Sequence, residues 1–505
     1  MRRREFLGAA LAAAVVPSCA VQPRQSGQRV RLSEVDRLIV ERYEPLAGRC
    51  RYVAETPAGR IAQPLLVARR GERCTATVVN ALPQPTTVHF HGLTLPEKED
   101  GAGFDSIAPG TSKRVDFQVQ NRSGLYWLHP HAHGFTAEQV HAGLVGLLVV
   151  TDEDDAALDQ SLGGNRLALA IADVQVSNGT IRPYQPSDDE CLHGWLGNRV
   201  LVNGALDFRA AVAPGWVRLQ LLNACNARGL QLAFRRDGTL VPFYMLGTDG
   251  GLLAAPVEVP SVFLHSAERI DIALPLEASL EAVSLPFDPR QHAQGRAPRH
   301  MHALRQGFPP LAGEDPCGPG RDSLALNDGT EMALFKLDVR GPANALKALP
   351  SKLSTLEETD FASSPVRRTR LEFDDKAGFL IDQTPYRRDE VAFSVPRGSR
   401  EIWEIRNSPI SMAHPMHLHG FGFRVLRRQG TFGPARRLAA HGAGRLSTDL
   451  GVKDTVTLWP NETVWLGVDF SLPAGAAFAG RQRYMLHCHN LEHEDGMMMR
   501  NFEVV

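Results

Sequence analysis

Between His487 and Met499 the chain reads HCHNLEHEDGMMM, which sets a thiol between two imidazoles. Successive side chains of an extended strand face opposite sides, so His487 and His489 share one face while Cys488 takes the other. One strand can therefore serve two metal centres. His493 lies five residues past Cys488 and Met498 ten. They add an imidazole and a weak thioether to the thiolate, which is the donor set of a blue copper ion. A second imidazole is available in HPMHLHG, where His414 precedes the same-face pair His417 and His419. Met497 and Met499 flank Met498, and a loop shifted by one residue makes either of them the thioether donor instead.

Same-face pairs recur along the chain. HFH supplies His89 and His91, and LHPHAH supplies His129 and His131. The 18 histidines among 505 residues would form fewer than about one HxH pair by chance. This chain has six. One such pair is as often two satisfied core histidines as a ligand pair. Four of them joined to a Cys-x4-His-x4-Met tail point to metal.

These residues resemble the four copper signatures of the multicopper oxidases, the family of laccases, ascorbate oxidase and bacterial cuprous oxidases. The resemblance implies a type 1 copper on His414, Cys488, His493 and Met498 and a type 2 copper on His89 and His417. It also implies a type 3 pair on His91, His129, His131, His419, His487 and His489. Asp100, in EKEDGAG nine residues after His91, stands where the family has a carboxylate near the type 2 copper, and Glu494 stands in the position of another. A carboxylate beside a cationic cluster can hold and relay protons.

Four coppers store the four electrons that reduce dioxygen to two waters, so the implied activity is four one-electron oxidations of a donor coupled to that reduction. A thioether ligand favours easily oxidised donors. Phenols, as in laccases, are the first expectation and cuprous or other metal ions the second. Ten methionines and no Met-rich insert weigh against dedicated copper detoxification. A copper-free binding protein on the same scaffold, like the bacterial cell-division relatives of these oxidases, is disfavoured because every ligand position is filled. A copper-storage protein has no need of a type 1 site joined to a cluster, and a two-domain nitrite reductase does not fit the length.

Such ligands need rigid strands to carry them. Short Val- and Leu-rich runs, frequent Gly and Pro and no long helical periodicity predict an all-β chain. A glycine, an alternating strand and an asparagine repeat as GERCTATVVN, GWVRLQLLN and GSREIWEIRN, ending at Asn80, Asn223 and Asn407. Three copies predict three domains, at 28–152, 160–285 and 366–505, each a cupredoxin-like Greek-key β-sandwich by the family resemblance. Residues 286–365 read as a Pro- and Gly-rich connection, and a linker role is also preferred for His292, His300 and His302 within it. Only the first and third copies are followed by a histidine-bearing strand, HFHGL and HPMHLHGF, whereas the middle copy continues as ACNARGLQLAF. Those two domains must meet around the metals, with the middle domain as a spacer.

Formal net charge is -1, from 55 basic and 56 acidic side chains, which leaves no basic excess to hold nucleic acid. Residues 1–27 resemble a twin-arginine signal peptide, with Arg3 and Arg4 before an apolar stretch too short to span a bilayer. Export to the periplasm is expected, with Cys19 either near a cleavage site or the attachment point of a lipid anchor, and a monomer as the working form. Cys50 with Cys74, and Cys191 with Cys225, are possible disulfides. His133 shares a strand face with a pair already sufficient and reads as a residue behind the ligands or at the surface, while His141, His193, His265 and His441 read as ordinary polar or core histidines.

Overall fold

The three Gly-to-Asn segments become equivalent strands, and in each the asparagine closes the strand and ties down the loop beyond it. Arg73–Asn80 pairs in parallel with Arg37–Arg42, Gly215–Asn223 with Arg166–Val174, and Arg400–Asn407 with Val366–Asp374. Each asparagine is wholly buried, and its side-chain amide donates to two carbonyls. Asn80 donates to Gln84 and Ile107, Asn223 to Arg228 and Leu264, and Asn407 to Met412 and Leu458. Buried carbonyls need such partners, and the loops so held in the first and third copies lead into the strands His89–His91 and His414–Leu418.

The computed structural model describes residues 27–289 except 45 and 47, 323–341, 346–430, and 441–505 except 474, 475 and 477. It is an all-β molecule of three two-sheet sandwiches, in which sheet neighbours are often distant in sequence, as Greek-key connections require. In the first, the sheet that carries ligands runs Arg29–Arg31, Leu65–Arg69, Gly146–Thr151, Gly124–His129, His89–His91. Its counterpart in the third runs Val391–Val395, Met499–Val504, Gln482–Cys488, His414–Leu418, Thr455–Leu458. Each sandwich encloses its own apolar core.

The middle sandwich draws on more chain than its sequence suggests. Met332–Val339, inside the stretch expected to be a connection, pairs with Leu280–Ser284 and with Arg209–Val212. MALFKLDV buries Met332, Leu334, Phe335 and Leu337 in that core, an alternation masked by the Pro- and Gly-rich residues before it. The expected disulfides are also corrected. Cys50, Cys74 and Cys225 are free thiols. Cys191 is disulfide-bonded, but to none of the other described cysteines. The signal-like N-terminus with Cys19, and His292, His300 and His302, lie outside the described residues. Among the described residues no helix is long and apolar enough to cross a membrane.

An apolar seam joins the first and middle sandwiches, with Leu125, Trp127 and Val149 against Ala168, Leu222 and Ala267. Each fully buried Leu or Val contributes about 1.5–3 kcal/mol, whereas an exposed ion pair contributes about 0–1, so burial rather than surface charge holds this seam. The first and third sandwiches meet through small apolar clusters, such as Ala102 with Met485 and Met499 and Val140 with Leu491, and through hydrogen bonds. The Tyr484 hydroxyl donates to the Leu95 carbonyl at 2.6 Å, and the Arg483 amide donates to Glu97 at 2.9 Å.

Candidate metal centre

Cys488 ends its strand and His414 opens the neighbouring one, in a register that sets Met416 opposite Cys488 and His417 opposite His487. The sulfur lies 3.5 Å from Nδ1 of His414 and 3.5 Å from Nδ1 of His493, and these two nitrogens are 3.2 Å apart. His493 sits on the short helix Leu491–Asp495, whose first turn is held by the Asn490 side chain, the acceptor for the Glu492 and His493 amides. Met498 folds back over the site. Its amide donates to the His493 carbonyl at 2.8 Å and its carbonyl accepts from the Cys488 amide at 3.0 Å. Met498 shares the buried core around Cys488, while Met497 and Met499 pack elsewhere, with Met485 and Ala102. The outward nitrogens are anchored: His493 Nε2 donates to the Leu192 carbonyl and His414 Nε2 shares a hydrogen bond with Ser411 Oγ, both at 2.8 Å.

On the other face of the same strand, eight imidazoles converge from the first and third sandwiches. His91 Nδ1 and His489 Nε2 lie 3.3 and 3.4 Å from His129 Nε2. His131 Nε2 and His419 Nε2 lie 3.3 and 3.0 Å from His487 Nε2. That leaves His89 Nε2 and His417 Nε2, both buried without a hydrogen-bond partner. The eight rings thus divide into two groups of three and a pair.

The outward nitrogens fix which inward atoms are bare. Nδ1 of His89, His417, His129 and His487 donate to the carbonyls of Asp100, Asp454, Pro130 and Cys488 at 2.7, 2.9, 2.8 and 3.0 Å. A carbonyl only accepts, so each Nδ1 carries the proton and each inward Nε2 is a lone pair. Burial, with repulsion from the neighbouring rings, holds His89, His91, His129, His419, His487 and His489 far below the usual imidazole range, and His131 at about 3. Neutral, preoriented lone pairs directed at one another in a fully buried space could hold a cation. Burial likewise pushes the Cys488 thiol up, so its thiolate requires a cation beside it.

The structure brings both expected carboxylates to the cluster. Asp100, 1% exposed, sets Oδ2 2.7 Å from His419 Nδ1. Glu494 lies between His131 Nδ1 at 3.4 Å and His487 Nδ1 at 3.5 Å. Burial raises the pKa of Asp100, against the pull of the adjacent histidines. It raises Glu494 well above the carboxylate range, and the neighbouring Asp495 adds to this.

A sequence profile described as multicopper oxidase matches residues 360–505 and another of that description matches 44–155, together just over half of the chain. This chain belongs to the multicopper oxidase family. The multicopper oxidase mco of Staphylococcus aureus is 27% identical over 451 residues, 88% of this chain and 83% of its own length. The cell division protein FtsP of Xenorhabdus nematophila is 29% identical over 422 residues, 83% and 79% of the two chains. The crystal structure of the McoA multicopper oxidase from Aquifex aeolicus superposes with a TM-score of 0.78 at 27% identity, covering 96% of this chain and 99% of that one.

The protein is therefore a copper-dependent oxidoreductase with dioxygen as acceptor, built from three cupredoxin-like sandwiches. The donor set fits copper, with soft sulfur and imidazole at one site and imidazole alone at the other. Sequence reasoning about this multicopper oxidase missed the part played by the middle sandwich, which is more than a spacer. Leu192 anchors His493, and Asn226 donates to Glu492 at 2.8 Å. Arg269 reaches Asp454 at the edge of the cluster. No local spacing signals this contact, because Arg269 and Asp454 stand 185 residues apart in the chain. His133 stays outside the groups, its ring 5.5 Å from Tyr386. His141 packs on Tyr184 and Trp195, and His265 accepts from the Ser266 amide.

Proposed function

We propose that this multicopper oxidase couples four one-electron oxidations of a phenolic donor to the reduction of one dioxygen to two waters. Each phenol gives up one electron and one proton, and four of each balance the reduction. His414, Cys488, His493 and Met498 would hold a type 1 copper. His89 and His417 would hold a type 2 copper, and a type 3 pair would sit on His91, His129 and His489 and on His131, His419 and His487. Bound copper supplies reversible one-electron transfer at the first site and a place for dioxygen at the second.

One observation carries this reading. Cys488 faces one donor group while its covalent neighbours His487 and His489 face the other, so two peptide units link the place where electrons arrive to the place where they are used. Glu494, pushed toward its protonated form by burial, holds a proton on a carboxyl oxygen between His131 and His487. Asp100, with Oδ2 2.7 Å from His419 Nδ1, stands where it can take up and pass on a proton. Several features favour an aromatic donor. Ser411, over His414 Nε2, is half-buried. Nearby, Phe263, Trp459 and Ala413 form an apolar wall adjoining a cavity of about 140 Å3 that Phe263, Val259, Leu446 and His441 help to line. Export as a monomer by the twin-arginine route, with or without a lipid on Cys19, completes the proposal.

Oxygen uptake by the copper-loaded protein, with a methoxyphenol and with cuprous ion under matched conditions, tests it. The expected result is faster turnover with the phenol, abolished together with the blue colour in Cys488→Ser. Faster turnover with cuprous ion would assign the protein to metal oxidation. Absence of turnover with either donor would refute the coupling.

A further inference from the structure

The middle sandwich gives no imidazole to the cluster, yet the first residue of its strand Arg269–Leu276 reaches the cluster's edge. Arg269 Nη1 and Nη2 donate to Asp454 Oδ1 and Oδ2 at 2.6 and 2.5 Å, and the two side chains are 1% and 4% exposed. Asp454 in turn touches two of the histidines. Its Oδ1 lies 3.2 Å from His91 Nε2, and its main-chain carbonyl accepts from His417 Nδ1 at 2.9 Å. Thr455 Oγ1 closes the arrangement by donating to Asp454 Oδ1 at 2.9 Å.

These two imidazoles come from different sandwiches, the first and the third, and their rings stack with centroids 3.7 Å apart at 16°. Their inward nitrogens serve different groups, His91 Nδ1 that of His129 and His417 Nε2 the pair with His89. One residue therefore governs the outward edges of both rings, and a guanidinium from the remaining sandwich governs that residue. A fork-to-fork pair has a fixed plane that a single point charge does not impose. The turn after His91 is shaped around the pair. Gly92 has φ +85, and a Cβ there would stand 2.5 Å from Asp454 Oδ2 and 2.7 Å from Arg269 Nη2. The neighbouring contacts have the same logic: Lys453 Nζ pairs with Asp249 at 2.9 Å and Glu268 at 3.3 Å, both in the middle sandwich.

We propose that Asp454, clamped by Arg269, is a positioning residue that sets the tilt of His91 and His417 toward the cluster metals, so that the middle sandwich holds the copper cluster in shape without ligating it. This rests on the ligand assignment proposed above. Partners on the outward nitrogen of a metal-bound imidazole orient the ring, and their loss typically weakens metal retention about 10–100-fold. Asp454→Asn keeps the size and removes the charge. Arg269→Lys keeps the charge and removes the fork.

The test is a chelator titration of copper-loaded wild type and both variants. Copper per chain and the type 2 signal in electron paramagnetic resonance report the cluster, and the blue absorption of the Cys488 site serves as internal control. The expected result is release of cluster copper at about 10–100-fold lower chelator in Asp454→Asn, a smaller shift in Arg269→Lys, and blue absorption as resistant as in wild type. Wild-type retention in both variants overturns the role. So does parallel loss of the blue site and the cluster, which would make the ion pair a general support of the fold. If Asp454→Asn does not fold, Arg269→Lys decides alone. A wild-type protein that holds only its blue copper would instead count against the ligand assignment, independently of how the variants behave.

Discussion

Asp100 makes two different contacts from one residue: its carbonyl accepts from His89, and its carboxylate sits on His419. Asp100→Asn preserves the first and removes the acid from the second. Type 1 copper should then be reduced by donor as fast as in wild type while reoxidation by dioxygen slows about 10^2-fold or more. Stopped-flow bleaching and recovery of the blue band separate these steps, and equal recovery rates would remove Asp100 from the reaction. A second effect belongs to His141, away from the metals, where burial and Arg49 depress the imidazole from 6.5 to about 3. The unfolded chain then binds a proton that the folded chain refuses, so stability present above pH 6.5 is lost as pH falls toward 3. Between pH 7 and pH 5 this one group costs about 2 kcal/mol, and the urea midpoint of the apo protein should fall correspondingly less in His141→Leu. The twelve proposed ligands were legible because their spacing is local. Asp454 was not, because it meets His91 across 363 residues and nothing near either residue in the chain marks the encounter.

The strand ending in asparagine is the element that the three sandwiches share, and its role depends on the loop and strand it leads into. In the first sandwich Asn80 ties the loop before His89. In the third, Asn407 ties Met412, just before His414, and Leu458 on the strand beside it. Replacing either with Ala leaves two buried carbonyls unpaired, at about 1–3 kcal/mol each. The consequences for copper should diverge. Asn407→Ala should loosen the blue site, with earlier loss of blue absorption to a chelator, and Asn80→Ala the cluster, with earlier loss of the type 2 signal. Identical copper retention in the two variants would show that the loops do not transmit to the ligands. The repeat was readable because a strand alternates and a buried polar residue stands out at its end. The strand Met332–Val339 and the helices Asp188–His193 and Leu491–Asp495 were not. The first is obscured by the composition before it, and the helices are too short to develop a period.

At the scale of the molecule, the sequence implied that the first and third sandwiches meet around metal, since their histidines have no other way to converge. It did not reveal that the middle sandwich closes the same junction with buried charge, because Arg269, Asp249 and Glu268 acquire a function only once Lys453 and Asp454 face them. Two forces thus hold the interface. The ion pairs and hydrogen bonds persist without copper, whereas the convergence of bare imidazole lone pairs is favourable only with it. Copper bound to the folded state alone stabilises it by about 4 kcal/mol at a thousandfold excess over its dissociation constant, so the apo protein should melt below the holo protein. The loss should be localised. In amide hydrogen exchange, removing copper should deprotect His89–His91, His414–Leu418 and Gln482–Cys488, while Gly215–Asn223 keeps its protection, since it is held by the middle sandwich's own core and by buried pairs such as Arg218 with Asp271. An apo protein with the holo melting temperature and unchanged exchange in those strands would mean that the ionic junction alone aligns the sandwiches, and that copper enters a site already held at full strength.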